Sequence, residues 1–376
     1  MHFQPDKPYN DLPDLPPKAQ LETVPVLRAI TRTARALAEL KGRTHTIPNP
    51  TILLNTIAMQ EAKLSSEIEN IFTTNDELYR GLSVHGNGVN LSPHAKEVIH
   101  YREALWHGMN TLKDRPFLST NLAIEIVNII KKNNAGIRNL PGTKVQNPTT
   151  KEIIYTPPEG EDLIRQKLAN LERFSNDSSS DLDPLIRMAV THYQFEAIHP
   201  FFDGNGRTGR ILIILHLIMN RLLEMPILFL SRFIIEHKTQ YYRRLRAVTE
   251  QNAWDSWLLY MLEAVESTAL DTTQKINAIH DLLAETIQKA KRVLPKRTFS
   301  KDLIELIFEQ PYCKIRFVEK AGIAKRLTAT KYLRDLQKAG FVRAVKQGTE
   351  LTFINHALWR LLTDEPLPKS GATTRR

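Results

Sequence analysis

One twelve-residue segment, His199 to Arg210, constrains the fold of this chain more than any other feature of its sequence. It reads HPFFDGNGRTGR, and the apolar run Ile211–Met219 follows it directly. Gly204 and Gly206 predict a tight turn, and the apolar run predicts a helix that starts at the end of this turn. The first amides of a helix have no acceptor inside it, so a glycine turn in this place is expected to bind an anion such as phosphate.

The charged residues of the same segment have the chemistry of a phosphate and metal site. Arg207 and Arg210 lie three residues apart, so both guanidinium groups project from one face of the first helical turn. Their planar forks fit phosphate oxygens better than a lysine ammonium does. Asp203 offers the hard oxygen ligand that Mg²⁺ prefers. His199, with an ordinary pKa of roughly 6.5, can accept a hydroxyl proton near neutral pH.

Each of these residues also has a simpler explanation. Glycines before a helix often form only a tight corner, and a lone histidine such as His199 is more often a core residue than a catalytic one. Asp203-Gly-Asn-Gly could begin a calcium-binding loop, but the glutamate of an EF-hand is absent at its usual spacing. These explanations account for single residues and fail for the set.

The spacing His-x-Phe-x-Asp-Gly-Asn-Gly-Arg-x-x-Arg resembles the signature of the Fic family. The resemblance implies an enzyme, a protein adenylyltransferase that moves AMP from ATP to a serine, threonine or tyrosine hydroxyl of a target protein and of itself, releasing pyrophosphate. It implies His199 as the general base, Asp203 as the ligand of Mg²⁺, and ATP as the substrate. The residues that it implies for nucleotide binding are Gly204, Asn205, Gly206, Arg207, Thr208, Gly209 and Arg210.

A second motif lies far upstream, at the end of a predicted helix. Ser65-Ser-Glu-Ile-Glu69-Asn70 matches the family's inhibitory pattern, Ser/Thr-x-x-x-Glu-Gly/Asn. By this resemblance Ser65, Glu69 and Asn70 are inhibitory residues, and Glu69 pairs with Arg210 in the space that the γ-phosphate needs. The chain is thereby similar to the subgroup with an N-terminal inhibitory helix. The sequence leaves open whether Glu69 only restrains AMP transfer or whether the enzyme mainly removes AMP from modified proteins.

Residues 138–158 contain two short β-prone runs, Thr143–Gln146 and Glu152–Thr156, around a turn-like stretch at 147–150. A hairpin here resembles the family's flap, which holds a target loop by strand addition. A hairpin without a role in recognition is the alternative. The target-docking residues that the resemblance implies are Val145, Ile153 and Ile154.

Four residues near the motif have more than one possible role. Tyr241 and Tyr242 are similar to tyrosines that line the family's adenine pocket, although an aromatic pair on a helix is more often core or surface cover. Glu196 and His192 precede His199 on its helix, and we expect them to satisfy hydrogen bonds there rather than to take part in the chemistry.

Apolar periodicity and the resemblance together predict a mainly α protein, with a Fic-type helical core, a β-hairpin flap and a C-terminal winged-helix-like domain. The predicted helices cover about 21–42, 51–70, 93–113, 120–134, 160–174, 183–198, 207–222, 231–248 and 266–291. The predicted parts are an N-terminal helical region at 1–110 with the inhibitory helix at about 52–70, a catalytic core at 111–265 with its flap at about 138–158 and its motif at 199–210, a connecting helix at 266–294, a winged-helix-like domain at 295–363 and a flexible basic tail at 364–376.

The C-terminal part carries the excess positive charge of the chain. From Arg292 to Arg376 there are 18 Lys+Arg and 8 Asp+Glu, a balance of +10, which equals that of the whole chain. Three helices and two strands around Gln347-Gly348 resemble a winged helix, and a basic winged helix is typical of nucleic-acid binding. The alternative is a domain that contacts a protein or forms a homodimer and whose charges are only solvated. The residues expected near DNA are Lys325, Arg326, Thr328, Thr330, Lys331 and Arg334.

Two function classes therefore stay open, an adenylyltransferase and a DNA-binding regulator whose nucleotide site is a sensor. His199 and Asp203 favour the enzyme, because sensing needs neither a base nor a metal ligand. A single cysteine, Cys313, and a start without signal-peptide features predict a cytoplasmic protein. The longest apolar stretch, Ile211–Met219, is too short to cross a bilayer, so no membrane partner is expected.

Overall fold

The computed structural model describes residues 3–82, 91–146, 150–347 and 350–363. In this part of the chain helices predominate and the strands are short, which confirms the mainly α prediction. The helices are α1 (Val24–Thr44), α2 (Pro50–Ile68), α3 (Asn75–Leu82), α4 (Pro93–Asp114), α5 (Thr120–Lys131), α6 (Glu161–Ser175), α7 (Pro184–Ile198), α8 (Asn205–Met219), α9 (Leu230–Glu236), α10 (Lys238–Gln251), α11 (Trp254–Val293), α12 (Lys301–Glu309), α13 (Ile315–Lys320), α14 (Arg326–Lys338) and α15 (His356–Leu362). The strands are β1 (Val145–Gln146), β2 (Ile153–Tyr155), β3 (Tyr312–Cys313), β4 (Arg343–Gln347) and β5 (Glu350–Ile354).

Three predicted features lie wholly or partly outside the described residues. They are the flap turn, of which 147–149 are outside, Gly348 of the C-terminal hairpin, and the tail at 364–376. Among the helices that are described, none combines the length and the apolar character needed to cross a membrane.

The chain divides into two compact units. The first contains the residues up to Lys41, Glu61–Ile71 and His100–Leu270, and the second contains Gly42–Gln60, Phe72–Ile99 and the residues from Asp271 onward. The stretch 1–110, expected as one N-terminal region, is thus shared between the two units. All residues of the candidate site belong to the first unit.

The centre of the first unit is formed by α7 and α8. From Leu185 to Ile198 every residue of α7 is buried except Glu196, and α8 is buried along almost its whole length. Helices that are apolar on every side are stable only when other elements surround them. The predicted helix start at Asp183-Pro184 is confirmed, because the Asp183 carboxylate accepts from Leu185 N at 2.8 Å and the proline takes the first helical position.

Two helices differ from their predicted bounds. The helix expected over 231–248 is two helices, α9 and α10, because the backbone leaves the helical region at His237, where φ is −117°. The helix expected over 266–291 already begins at Trp254. Its buried face includes Trp257, Met261 and Val265 at four-residue spacing, so the same apolar stripe continues through the predicted boundary.

The flap strands β1 and β2 pair antiparallel, and the proline-rich N-terminal arm lies along the second of them. Tyr9 N donates to Thr156 O at 3.0 Å, and the Thr156 hydroxyl donates to Pro5 O at 2.7 Å. Both strands are shorter than predicted, because Pro157 cannot donate to a ladder and β1 pairs irregularly.

The C-terminal part of the second unit follows the predicted order of three helices and a hairpin. Its sheet has the order β3-β5-β4, and β4 and β5 form the hairpin. Strand β3 and helix α15 add to the predicted set, since two and seven residues are too short for a clear periodic pattern. Classification of this domain as a winged helix stays a prediction.

Candidate active site

The motif forms a glycine turn between two buried helices. His199 ends α7 in the left-handed region, with φ 49°, and its N–H donates to Phe195 O at 3.0 Å. Gly204 has φ 87°, and a Cβ at this position would lie 2.9 Å from Val127 Cγ2, so the position requires glycine. The Asn205 side chain holds the turn from inside, because it accepts from Phe201 N at 2.8 Å and donates to Phe201 O at 2.7 Å. The first amides of α8 therefore face a fixed turn.

Arg210 is fully buried and contacts the end of α2. Its Nη2 donates to Glu69 Oε1 and to Ser65 O, both at 2.8 Å, and its Nε donates to Ser65 Oγ at 2.8 Å. The Arg210 side chain is 1 % exposed, whereas that of Glu69 is 33 % exposed. Burial by itself lowers the pKa of Arg210, but the Glu69 carboxylate together with Tyr241 and Tyr101 raises this pKa above its ordinary value. The guanidinium is permanently charged, and one of its partners faces solvent.

The position of Glu69 depends on how α2 ends. Asn70 adopts the left-handed region, with φ 62°. Asn70 N then donates to Glu67 O and Ile71 N to Ser66 O, each at 3.0 Å, which is the bond pattern of a Schellman helix end. Glycine and asparagine reach this region most easily, which gives a physical reason for the Gly/Asn position of the motif. Lys238 Nζ donates to Ile68 O at 2.5 Å and caps the same helix end.

His199 is held as a neutral imidazole. Its withdrawal from water and, to a smaller extent, the charge of Arg138 lower its pKa to about 4. Arg138 is 1 % exposed, and its Nε donates to His199 O at 2.8 Å, so the cation is fixed beside the histidine. The Glu69 carboxylate and the Glu196 main chain act in the opposite direction, but the pKa of His199 stays below its ordinary value. At neutral pH the imidazole can accept a proton.

Asp203 is an exposed carboxylate next to the turn. Its Oδ2 lies 2.5 Å from Lys131 Nζ and its Oδ1 lies 3.3 Å from Arg207 Nη2, while its side chain is 62 % exposed. Burial raises the pKa of Asp203, but the hydrogen bond from Lys131 is among several contacts that together bring it below the ordinary value. The group is therefore a charged oxygen donor open to solvent, as a Mg²⁺ ligand must be. Within the described ranges, no three His, Cys, Asp or Glu side chains converge as a metal site.

A cavity of about 620 Å³ brings part of the predicted site residues together. Its wall includes His199, Gly206, Arg210, Glu69, Asn70, Tyr241, Tyr242, Val145 and Ile154. Other predicted residues lie outside this wall, namely Asp203, Gly204, Asn205, Arg207, Thr208, Gly209, Ser65 and Ile153.

The two tyrosines differ in their surroundings. Tyr241 is 2 % exposed, its hydroxyl lies 2.8 Å from His192 Nε2, and its ring packs against Trp257. Tyr242 is 43 % exposed and meets Tyr241 edge to face. Tyr242 is therefore the tyrosine with free ring surface, whereas Tyr241 supports it from the core.

Sequence reasoning missed several residues of the cavity. Lys238 lies in its wall, and Phe3 reaches it from the N-terminal arm and stacks on Tyr155 with ring centroids 5.8 Å apart.

The expectation that Glu196 satisfies hydrogen bonds is wrong for one oxygen, because its buried Oε1 has no hydrogen-bond partner in the described part of the chain. Burial raises the pKa of Glu196 to about 8. Gly209 makes room for this carboxyl, since a Cβ there would collide with it.

Three parts of the chain match known families. Residues 27–110 match the Fic/DOC family N-terminal, residues 117–217 match the Fic/DOC family, and residues 282–358 match the C-terminal domain described as protein adenylyltransferase SoFic-like. The motif residues up to Arg210 lie inside the second match, and Glu69 lies inside the first.

Curated relatives match over short regions. Protein adenylyltransferase fic-1 of Caenorhabditis elegans is 35 % identical over 91 residues, which are 24 % of this chain and 17 % of that protein. Protein adenylyltransferase Fic of Drosophila yakuba is 43 % identical over 60 residues, which are 16 % of this chain and 12 % of that protein. The chain thus spans less than a fifth of the length of these relatives.

Solved structures support the fold over a longer range. A Fic family protein from Desulfovibrio desulfuricans G20 has a TM-score of 0.56 at 17 % identity, covering 89 % of this chain and 97 % of that one. Fic-1 from C. elegans (residues 134–508) has a TM-score of 0.51 at 20 % identity, covering 67 % and 74 %. With its glycine turn, its helical core and three family matches between residues 27 and 358, the chain belongs to the Fic/DOC family.

Proposed function

We propose that this protein is a protein adenylyltransferase that transfers AMP from ATP to a serine, threonine or tyrosine hydroxyl of a target protein and of itself. The observation that carries the proposal is one cavity whose wall contains a neutral imidazole, a buried guanidinium and Gly206 in the first turn of α8. These are a proton acceptor, a phosphate ligand and an anion site within one volume. The named activity of the curated relatives supports the same chemistry.

In the proposed reaction His199 accepts the proton of the attacking hydroxyl. The hydroxyl oxygen then bonds to the α-phosphorus of ATP, the bond from the α-phosphorus to the bridging oxygen breaks, and pyrophosphate leaves. The low pKa of His199 keeps the ring unprotonated at neutral pH. A positioned base of this kind contributes about 10²–10⁴-fold in rate.

Charge neutralisation is the second part of the proposal. The amides at the start of α8 and the Arg210 guanidinium would bind the β- and γ-phosphates, and buried Arg207 would add a second cation beside the turn. Asp203 would hold Mg²⁺, which neutralises phosphate charge when it is bound. Lys131 now contacts Asp203, so a metal ion at this carboxylate would compete with the Lys131 ammonium.

We further propose that Glu69 inhibits the enzyme, because it occupies the phosphate ligand. The Glu69 carboxylate and a γ-phosphate would both need Arg210 Nη2, which Glu69 Oε1 already contacts at 2.8 Å. Its partial exposure makes Glu69 the displaceable partner of Arg210. Coupling between two such ligands is commonly about 1–3 kcal/mol, or about 5–150-fold in affinity.

The flap would bind the target protein. Val145 and Ile154 lie in the cavity wall on neighbouring strands, so an extended segment paired with this edge would bring its hydroxyl side chain towards the site of His199. Ile153, on the same strand, lies outside the wall and would contact the target only from the other face of the hairpin.

Two variants, compared with wild type, test these proposals together. Purified protein is incubated with labelled ATP and Mg²⁺, and the label on the protein is measured by mass spectrometry as added AMP. Glu69→Gly should raise self-modification by about 5–150-fold, and His199→Ala in the same background should abolish it. An unlabelled Glu69→Gly variant that still binds ATP would reject AMP transfer. To test removal of AMP, modified protein is incubated with wild type and with Glu69→Gly, and release in the first alone would assign that reaction to Glu69.

A specific surface favours a second activity, binding of duplex DNA by the C-terminal domain. Helix α14 and the residue before it expose Lys325, Arg326, Lys331 and Arg334 around Leu327, which is 88 % exposed. Between residues 314 and 346 the chain has ten Lys+Arg and two Asp+Glu. A basic helix face with an exposed apolar side chain fits phosphates beside a groove.

Salt-dependent binding tests this second activity. Fluorescence anisotropy with a labelled DNA duplex at ~50 and ~200 mM salt should give a steep loss of affinity, and the double variant Lys331→Ala/Arg334→Ala should lower the salt slope by about 2. The control is Lys301→Ala on α12, because Lys301 is already paired with Glu305 at 3.2 Å. Absence of binding at ~50 mM salt would reject the DNA partner.

A further inference from the structure

A second carboxylate of α2 is buried two helical turns before Glu69. Glu61 is 0 % exposed, and both of its oxygens are bonded. Its Oε2 accepts from Ser231 N at 2.9 Å, and its Oε1 accepts from Ser231 Oγ at 2.6 Å and from Tyr101 OH at 3.3 Å. A buried carboxylate is stable only with such donors, so α2 is fixed at this point to α4 and α9.

This carboxylate is connected to the ion pair of the candidate site. Helix α2 places Ser65 one turn after Glu61. Ser65 Oγ in turn accepts from Arg210 Nε at 2.8 Å. A path of contacts therefore leads from Ser231 to Glu61, along one turn of α2 to Ser65, and from Ser65 to Arg210.

The spacing along the helix gives this path a geometric consequence. Glu61, Ser65 and Glu69 are separated by four residues each, so they lie on nearly the same face of α2. A rotation or slide of the helix that breaks the bonds of Glu61 also moves the other two side chains away from Arg210. Ser231 bonds both oxygens of Glu61 and thereby resists such a rotation.

We propose that Glu61 is a positioning residue of the inhibited state, which holds the end of α2 in the register that brings Ser65 and Glu69 onto Arg210. The proposal rests on the proposed function, because it requires Glu69 to restrain AMP transfer. The two carboxylates have different parts: a phosphate can reach partly exposed Glu69, whereas Glu61 is closed off from the cavity and stays in place. Glu61 is then the fixed anchor of the helix, and Glu69 is the side chain near the same face that a phosphate can displace.

The test is a double-mutant cycle on self-modification with ATP below saturation. Glu61→Gln keeps the shape of the side chain but removes its charge and one acceptor oxygen, so we expect a rise of about 5-fold or more, up to that of Glu69→Gly. In the Glu69→Gly background Glu61→Gln should change nothing, because no inhibitory contact is left to misplace. The matched control is Glu67→Gln on the same helix, whose partner is Lys63 at 3.2 Å and which should behave as wild type.

The outcomes separate this inference from the proposed function. If Glu69→Gly itself gives no rise, the proposed inhibition fails. If Glu69→Gly is active and Glu61→Gln stays at the wild-type rate, or lowers the rate by the same factor in both backgrounds, the positioning role of Glu61 is wrong. Should Glu61→Gln not fold, Ser231→Ala replaces it, since this variant removes one donor and keeps the main-chain bond. A wild-type rate in folded Ser231→Ala would then overturn the inference.

Discussion

The left-handed residue after Glu69 should control how tightly the enzyme is inhibited. Asn70 has φ 62°, and the two bonds that close the end of α2 depend on this conformation. A residue with a branched Cβ adopts the left-handed region at a cost of roughly 1–2 kcal/mol. Asn70→Val should therefore weaken the helix end that presents Glu69. At about 1.4 kcal/mol per factor of ten, this cost corresponds to about 5–30-fold faster self-modification at limiting ATP.

The matched variant for this prediction is Asn70→Gly. Glycine reaches the left-handed region without steric cost, so Asn70→Gly should keep the wild-type rate. The rates are measured as AMP added per protein over time, with thermal unfolding recorded for all variants. Equal rates for Asn70→Val and wild type would refute the reasoning, and so would an equal rise in both variants, because only one of them opposes the backbone conformation.

Three further predictions concern the chemistry and the pH dependence of the site. Asp203→Asn should lower AMP transfer by at least ~100-fold in the Glu69→Gly background. The melting temperature should stay near that of the parent, because the Asp203 side chain is 62 % exposed. Retained activity would show that Asp203 does not bind the metal. Since the pKa of His199 is lowered to about 4, the rate of the same background should stay nearly flat from pH 7 to pH 5, whereas the rate with a base of pKa roughly 6.5 would fall roughly 25-fold. A loss of that size would show that the proton acceptor is not an imidazole with this lowered pKa. Burial raises the pKa of Glu196 to about 8, so the folded protein keeps a proton on this carboxyl at pH values where the unfolded chain has lost it. The free energy of unfolding therefore falls as pH rises from about 5 to about 8. Glu196→Gln should thus match wild type in thermal unfolding near pH 5 and exceed it near pH 8, and a constant difference across this range would contradict the shift.

Much of the site follows from local sequence. The turn at Gly204 and the helix after it can be predicted from neighbouring residues. A glycine that tolerates positive φ and the apolar run that follows it are both visible in a short stretch of sequence. The contact of Glu69 with Arg210, by contrast, joins residues 141 positions apart. Composition and periodicity cannot pair such distant groups. Only the resemblance of both motifs to one family predicts this ion pair.

Other features depend on tertiary contacts that leave no local pattern. Lys131 and Lys238 are ordinary basic residues in the sequence, and only the fold brings one to Asp203 and the other to the end of α2. The anchor Glu61 reads as one more polar residue on a mixed helix, because its donors come from α4 and α9. The break at His237 is equally hidden, since the apolar pattern continues on both sides of it.

The most direct test of the account is a crystal structure of Glu69→Gly with Mg²⁺ and an ATP analogue that cannot be cleaved. We expect one nucleotide in the cavity, with its α-phosphate facing the His199 imidazole, its γ-phosphate on Arg210 and Mg²⁺ on Asp203. An empty cavity at saturating nucleotide, or a triphosphate whose α-phosphate lies away from His199, would contradict it.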